Sequence, residues 1–297
     1  MRLVFFGTPA FAVPTLDALA RVHDVELVVA QPDRPAGRGM KLHAPEVVVR
    51  ARELGLPVAQ PAKVREVIDA VRDVNADAGI VVAYGKILPA ALLEIPRHGF
   101  LNIHGSILPK YRGAAPMQRA IENGETETGV TIMRVDEQLD HGAMLSIVRT
   151  PIGPDEHTPQ LAARLSTLGA GALLDVLARL DDIADTPQDD AQATLAPKID
   201  KSEGEVRWSE PAKRIYDKFR AFDPWPGVFT PTMKLIDIRP ARGSGEPGAV
   251  IRIDDGVVVA CGEGAIELLR VQRPGKAAVD AKSLQWRIGD HLTSQHV

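Results

Sequence analysis

Asn102 and His104 stand two residues apart in FLNIHGSILPKYRG, and their types suit carbonyl chemistry. An asparagine amide donates a hydrogen bond without changing charge. A histidine can donate, accept or carry a proton near neutral pH. Two such groups converging on one point fit an oxygen that gains negative charge as a carbonyl carbon is attacked. A carboxylate would complete the set by fixing the imidazole tautomer and balancing its charge. VDEQLDHGAML, residues 135–145, follows the strand-like GVTIMR and offers Asp136 and Asp140 in a turn ending at Gly142. Either aspartate could instead cap its turn. A metal centre on His104, Asp140 and His141 is the competing reading. It would require the vicinal Asp140 and His141 to fold back on one ion, and no HExxH or cysteine ligand supports it, so no metal is expected.

The elements that must carry these groups follow from periodicity. FLNIH reads as a strand, so Asn102 and His104 share one face and Ile103 takes the other, with Gly105 releasing the chain from the strand end. Around it, RLVFFG, VELVVAQ and DAGIVVAYG read as strands, and FAVPTLDALARV, PEVVVRARELG and VREVIDAVRDV as helices, with Gly55 placed to cap the second of these helices. This alternation predicts a Rossmann-like α/β fold with an open, mostly parallel sheet, whose ligands sit at the carboxyl ends of strands. Leu161, Leu165, Leu168, Leu173, Leu177 and Leu180 form a helical stripe that closes this half, residues 1–183. The acidic stretch 184–203 has no sustained periodicity and reads as a linker. Residues 204–297 contain short β-type runs broken by DDG and GEG, as expected of a small OB-like β-barrel domain. FFGTP is a glycine turn after a strand, but GxGxxG and GxxxxGK[ST] are both missing, so neither a dinucleotide site nor a P-loop is expected.

Composition narrows the class. At 297 residues with 45% hydrophobic and 25% charged, the chain is ordinary globular material of two-domain length. Cys261 is the single cysteine, which excludes an intrachain disulfide and a cysteine-rich metal site. No run reaches the roughly 18 apolar residues of a membrane span, and MRLVFFGTPA lacks the parts of a signal peptide; the expected compartment is the cytoplasm. Net charge is −4, distributed as +4 over residues 1–120, −9 over 121–202 and +1 over 203–297. A polyanion partner therefore needs a local basic surface. RPAGRGMK, residues 34–41, carries Arg34, Arg38 and Lys41 with no acid, in a proline- and glycine-containing loop. Lys213, Arg214, Lys218 and Arg220, around IYDKFRAF, could form a second basic edge on one helix.

The motif Asn102-Ile103-His104-Gly105-Ser106-Ile107-Leu108-Pro109, followed by Lys110-Tyr111-Arg112-Gly113 and by Leu139-Asp140-His141-Gly142, resembles the formyltransferases that use 10-formyltetrahydrofolate. Within that family the likeness is strongest to the branch acting on methionyl-tRNA. It runs from FFGTP through QPDRPAGRG, VVAYGKILP, RGAAPMQRA and ETGVTIM to FDPWPG and GEGAIELL. The resemblance implies that Asn102 and His104 polarise the formyl oxygen and stabilise the tetrahedral intermediate, while Asp140 orients His104 and assists proton transfer. It implies a folate site lined by Ser106, Ile107, Leu108 and Pro109, with the backbone of Lys86, Ile87 and Leu88 against the pterin. It further implies that the Arg34–Arg38–Lys41 loop meets the acceptor end of initiator methionyl-tRNA, and that the C-terminal β domain holds the tRNA body. The chain is expected to act as a monomer. An amino-sugar N-formyltransferase with the same donor is the alternative, and a DPWPG-like segment is shared with that group. A non-catalytic RNA-binding protein on the same scaffold is disfavoured by the intact Asn102, His104 and Asp140. The tail GDHLTSQHV departs from the family pattern.

Overall fold

In the computed structural model, which describes residues 1–36 and 41–292, the alternating runs of the first half become a layered α/β unit. In chain order, this half of the sequence forms β1 (Arg2–Gly7), α1 (Val13–Val22), β2 (Asp24–Val29), β3 (Arg34–Ala36), β4 (Lys41–His43), α2 (Glu46–Glu53), β5 (Val58–Ala59), α3 (Ile68–Val74), β6 (Ala78–Val82), α4 (Ala90–Leu93), β7 (Phe100–His104), α5 (Pro116–Glu122), β8 (Glu127–Arg134), β9 (Met144–Pro151) and α6 (Thr158–Leu177). Seven strands form one sheet in the order β5-β2-β1-β6-β7-β8-β9. Every pairing up to β7 is parallel, and β8 and β9 add antiparallel strands at one edge. The strand order reverses between β1 and β6, the kind of position where open α/β sheets bind ligands.

The apolar runs explain the layering. Leu3, Val4, Phe5 and Phe6 of β1 are fully buried, as a parallel strand covered on both faces requires. Phe6 meets Tyr84 and Phe100 edge-on, with ring centroids 5.2 and 5.4 Å apart. Gly55 ends the α2 segment with φ 70, the left-handed turn predicted for it. In α6 a side chain at Gly169 would begin 2.6 Å from Ile103, so that helix packs on the Ile103 face of β7. Asn102 and His104 are thereby left on the other face. Leu180 lies beyond the end of α6 yet is buried, so the stripe outlasts its helix.

Residues 186–196 run as a strap over this unit. Thr186 exchanges two backbone hydrogen bonds with Met144, and Arg112 is held between the Thr194 carbonyl (2.9 Å) and the Ala196 amide (2.7 Å).

By its contacts the chain divides into two compact units. One comprises Met1–Pro116, Glu127–Pro151 and Ala162–Pro197; the other comprises Met117–Thr126, Ile152–Leu161 and the chain from Lys198 onward. The second unit holds α7 (Ala212–Ala221) and the antiparallel strands β10 (Val228–Thr230), β11 (Met233–Ala241), β12 (Val250–Ile253), β13 (Val257–Ala260), β14 (Ala265–Gln272) and β15 (Val279–Asp280). They pair in the order β10-β11-β14-β13-β12, with β15 also on β14, in keeping with a small barrel-like domain. Register breaks on either side of Asp237 mark irregularities in β11, which increase local twist and bend.

The basic edge anticipated on α7 does not form. Lys213 pairs with Asp217 (2.6 Å), Arg214 with Glu122 (3.1 Å), Lys218 with Glu210 (2.9 Å) and Arg220 with Asp217 (2.6 Å). The helix uses its cations to satisfy carboxylates, and Arg220 is itself buried.

Candidate active site

β7 ends at His104, which is only 5% exposed. Its Nε2 lies 2.8 Å from the Tyr111 carbonyl oxygen. A carbonyl can only accept, so Nε2 carries a proton and donates it. The other nitrogen, Nδ1, faces the Asp140 carboxylate at 3.6 Å, an ion-pair distance longer than a hydrogen bond. The same Asp140 Oδ2 accepts the Gly113 backbone N–H at 2.8 Å. One short loop, Tyr111–Gly113, thus grips both the imidazole and the carboxylate. Asp136 is occupied elsewhere: it accepts from His141 Nδ1 (2.7 Å) and from the Gln138 amide (2.9 Å). The bond from His141 is the main reason the His141 pKa lies above its ordinary value.

The turns that achieve this are conformationally costly. Tyr111 (φ 63), Asp140 (φ 49) and Ala83 (φ 48) all occupy the left-handed region, which non-glycine residues rarely adopt. Such outliers persist where surrounding contacts over-determine them, and functional sites are where they cluster. Gly113 has φ 128, and a Cβ there would fall 2.6 Å from the Ala196 carbonyl oxygen; the position tolerates only glycine. Asn102 is half-buried, and its amide has no hydrogen-bond partner among the described residues.

The loop after β7 is fixed by Thr131 of β8, which pairs opposite His104. Thr131 Oγ1 donates to the Ser106 carbonyl (2.7 Å) and accepts the Leu108 N–H (3.1 Å), while Ser106 Oγ donates to the Lys110 carbonyl (2.6 Å). Ser106 and Leu108 are buried by these ties, and Ile107 and Pro109 remain partly open. In the loop after β6, Lys86 turns its ammonium onto the Ala62 and Pro61 carbonyls (2.7 and 3.2 Å). Leu88 sits in the core with Tyr84 and Leu92, and Ile87 is 77% exposed. This loop therefore offers a planar ligand its backbone and the Ile87 side chain.

Beside that loop, at the carboxyl ends of β1, β2 and β6, lies a pocket of about 380 Å³ lined by Thr8, Gln31, Arg34, His43, Ala83 and Gly85 among others. This volume is within the range of small-ligand sites. Buried Gln31 donates to the Tyr84 carbonyl (3.1 Å) and accepts from Arg34 (3.3 Å). Arg34 begins β3 and Lys41 begins β4, a two-stranded ribbon, while Arg38 lies outside the described residues.

The structure thus brings His104 and Asp140 together, and it adds the Tyr111 carbonyl, the Gly113 amide and Thr131, whose roles depend on pairings that the sequence does not display.

A strand end that offers an amide unpartnered among the described residues, an imidazole and a carboxylate on this sheet is equipped for carbonyl transfer, and the family models agree on the class. Residues 1–177 match formyl transferase, and residues 198–286 match formyl transferase, C-terminal domain. The chain is 48% identical over 297 residues to the methionyl-tRNA formyltransferase of Sorangium cellulosum, covering 96% of each. It is also 48% identical over 289 residues to a methionyl-tRNA formyltransferase of Thermus thermophilus, covering 95% of this chain and 94% of the other. The chain belongs to the methionyl-tRNA formyltransferase family.

Among solved structures, HypX from Aquifex aeolicus in complex with tetrahydrofolic acid matches with TM-score 0.65 at 18% identity, over 96% of this chain and 46% of that one. WlaRD, a sugar 3N-formyl transferase, matches with TM-score 0.69 at 16% identity, over 93% and 99%. At these identities the likeness is one of fold. No described helix is long and apolar enough to cross a membrane.

Proposed function

We propose that the protein transfers the formyl group of 10-formyltetrahydrofolate to the α-amine of methionyl-initiator tRNA, preparing it for translation initiation. The observation that carries this reading is the 48% identity to methionyl-tRNA formyltransferases across nearly the whole of both chains. An amino-sugar acceptor is not favoured, since the sugar enzyme stands at 16% identity.

The folate, when bound, would supply the formyl carbon to the amine and leave as tetrahydrofolate, its donor nitrogen taking a proton in place of the formyl group. The residues present suit it: the Lys86–Leu88 backbone and exposed Ile87 would make one wall of its site, and the Thr131-braced loop Ser106, Ile107, Leu108 and Pro109 the other. The Asn102 amide donates to the oxygen on which charge develops. His104 keeps Nε2–H on the Tyr111 carbonyl, so Nδ1 is the nitrogen left to take up the proton that the amine sheds and to return it to the departing donor nitrogen. Asp140 balances the imidazolium that results. The attacking amine has a reference pKa near 8, so much of it is neutral without a strong base. Arg34, Arg38 and Lys41 contact acceptor-end phosphates or bases. The reaction runs in the cytoplasm, without metal, on a monomer.

The test supplies 10-formyltetrahydrofolate with charged initiator tRNA, charged elongator tRNA or an amino sugar nucleotide, with and without a chelator. Initiator methionyl-tRNA is expected to be formylated in both conditions. Formylation of the amino sugar alone, or loss of activity on chelation, would overturn the reading.

A further inference from the structure

Gln188 lies in the strap, in a stretch whose other residues are mostly exposed, yet it is half-buried. Its amide nitrogen donates to two backbone carbonyls of the Asp140 turn, that of Asp140 (2.9 Å) and that of Gly142 (2.8 Å). Its amide oxygen accepts from Arg112 twice, from Nε (3.0 Å) and Nη2 (2.8 Å). The orientation of the amide is unambiguous, because a guanidinium only donates and a carbonyl only accepts. Arg112 lies between Tyr111, whose carbonyl holds His104, and Gly113, whose N–H holds Asp140. A single side chain therefore spans the loop that grips the imidazole and the turn that carries the carboxylate.

We infer that Gln188 is a positioning residue for formyl transfer, setting the distance between His104 and Asp140 by locking the Tyr111–Gly113 loop to the Asp140–Gly142 turn. The inference rests on the roles proposed above for His104 and Asp140. Its physical basis is the steep dependence of catalysis on placement, where about 1 Å of drift costs on the order of 10²-fold. Asp140 sits at φ 49, a conformation that its neighbours must impose. Removing Gln188 leaves both carbonyls to water and the Arg112 fork to Asp190 (2.8 Å), and neither ties the fork to the two carbonyls at a fixed separation.

Gln188→Glu sharpens the distinction from a merely structural role. A carboxylate still accepts from Arg112 and gains charge with it, but it cannot donate to the two carbonyls. The experiment measures single-turnover formylation, folate KM, Tm and the solvent exchange of the His104 Nε2–H by NMR, in wild type, Q188A, Q188E, D140N and Q188A/D140N. The expected result for Q188A is a tenfold or greater fall in turnover, folate KM within twofold of wild type, and a His104 Nε2–H that exchanges at least tenfold faster. Q188E is expected to be as slow as Q188A while melting no lower, and Q188A in the D140N background is expected to lose less than twofold more. A wild-type rate in Q188A or Q188E, full additivity with D140N, or unchanged exchange at His104 would overturn the inference. Absence of methionyl-tRNA formylation by the wild type would sink the proposed function instead, and the exchange measurement would still judge the positioning.

Discussion

His104 has two ring nitrogens, and the Tyr111 carbonyl has claimed one of them. This leaves Nδ1, with Asp140 beside it, to do whatever proton work the imidazole does. The carboxylate is secured by the Gly113 amide at 2.8 Å and not by a direct hydrogen bond to the ring, so it can balance a charge on the imidazole without immobilising the proton there. Asn102 is half-buried with no competing partner among the described residues, and in the proposed reaction its amide donates to the substrate oxygen. These divisions predict different losses. Asn102→Ala removes one donor to the developing oxyanion and is expected to cost about 10²–10³ in single-turnover rate. His104→Ala removes proton transfer and charge stabilisation and is expected to cost about 10²–10⁴. In both variants equilibrium binding of the folate should stay within a few-fold of wild type, measured by titration. A near-normal rate in His104→Ala would refute the assignment.

At the scale of elements, α7 shows how charges that look like a binding edge can be structural. Arg220 and Asp217 are both about 95% buried and 2.6 Å apart, and Arg220 also reaches the Gly153 and Glu156 carbonyls at 3.2 Å. Arg220→Ala leaves the buried Asp217 carboxylate with Lys213 as its remaining cation and the Gly153 and Glu156 carbonyls without this donor, and is expected to cost about 1–3 kcal/mol in denaturant unfolding. Arg119 of α5 makes a second such tie to Glu203 (2.6 Å) and holds the Glu203 carboxyl below its ordinary value of 4.5. A depressed carboxyl stabilises the fold above its unfolded pKa, and this contribution disappears as pH falls through the folded value. Thermal melts should therefore place Glu203→Gln below wild type at pH 7, with the gap closing only below about pH 4.5. The gap persisting unchanged to pH 3 would show that the pair does not supply it. The helices, parallel strands and leucine stripe were legible because each buries one face at a fixed period. The Asn102–His104 pair was legible for the same reason. Residue types and spacing left the choice between Asp136 and Asp140 open, and only the family resemblance pointed to Asp140, because the choice turns on a left-handed φ at Asp140 and on His141 capturing Asp136. The strap was not legible, since its work is done by backbone bonds and one glutamine amide, neither of which leaves a pattern in an acidic, aperiodic stretch. Two of the α7 pairings were hidden likewise, since Glu122 and Glu210 lie off the helix, whereas Asp217 stands at i,i+4 from Lys213 and i,i+3 from Arg220 within it.

For the whole molecule, a net charge of −4 and a tRNA acceptor are in tension unless binding relies on a local surface. The first 120 residues carry the positive excess, and the RPAGRGMK loop contributes three cations without an acid, while α7, the other candidate, has its cations paired. Arg34, the first residue of this stretch, is tied to Gln31 and lines the β1–β2–β6 pocket at the strand ends. Phosphate contacts release counterions, so the KM for tRNA should rise with salt, and the slope of its logarithm against log salt should count those contacts. Arg38→Glu is expected to reduce that slope by about one contact or more and to raise the tRNA KM, with the folate KM unchanged. The discriminating comparison is a small amine acceptor that lacks phosphates. If Arg38→Glu slows its formylation as much as that of tRNA, the loop shapes the chemical site and does not read the nucleic acid. If only tRNA suffers, an acidic protein has concentrated its polyanion recognition in one short basic loop, where a single reversal of charge is enough to reveal it.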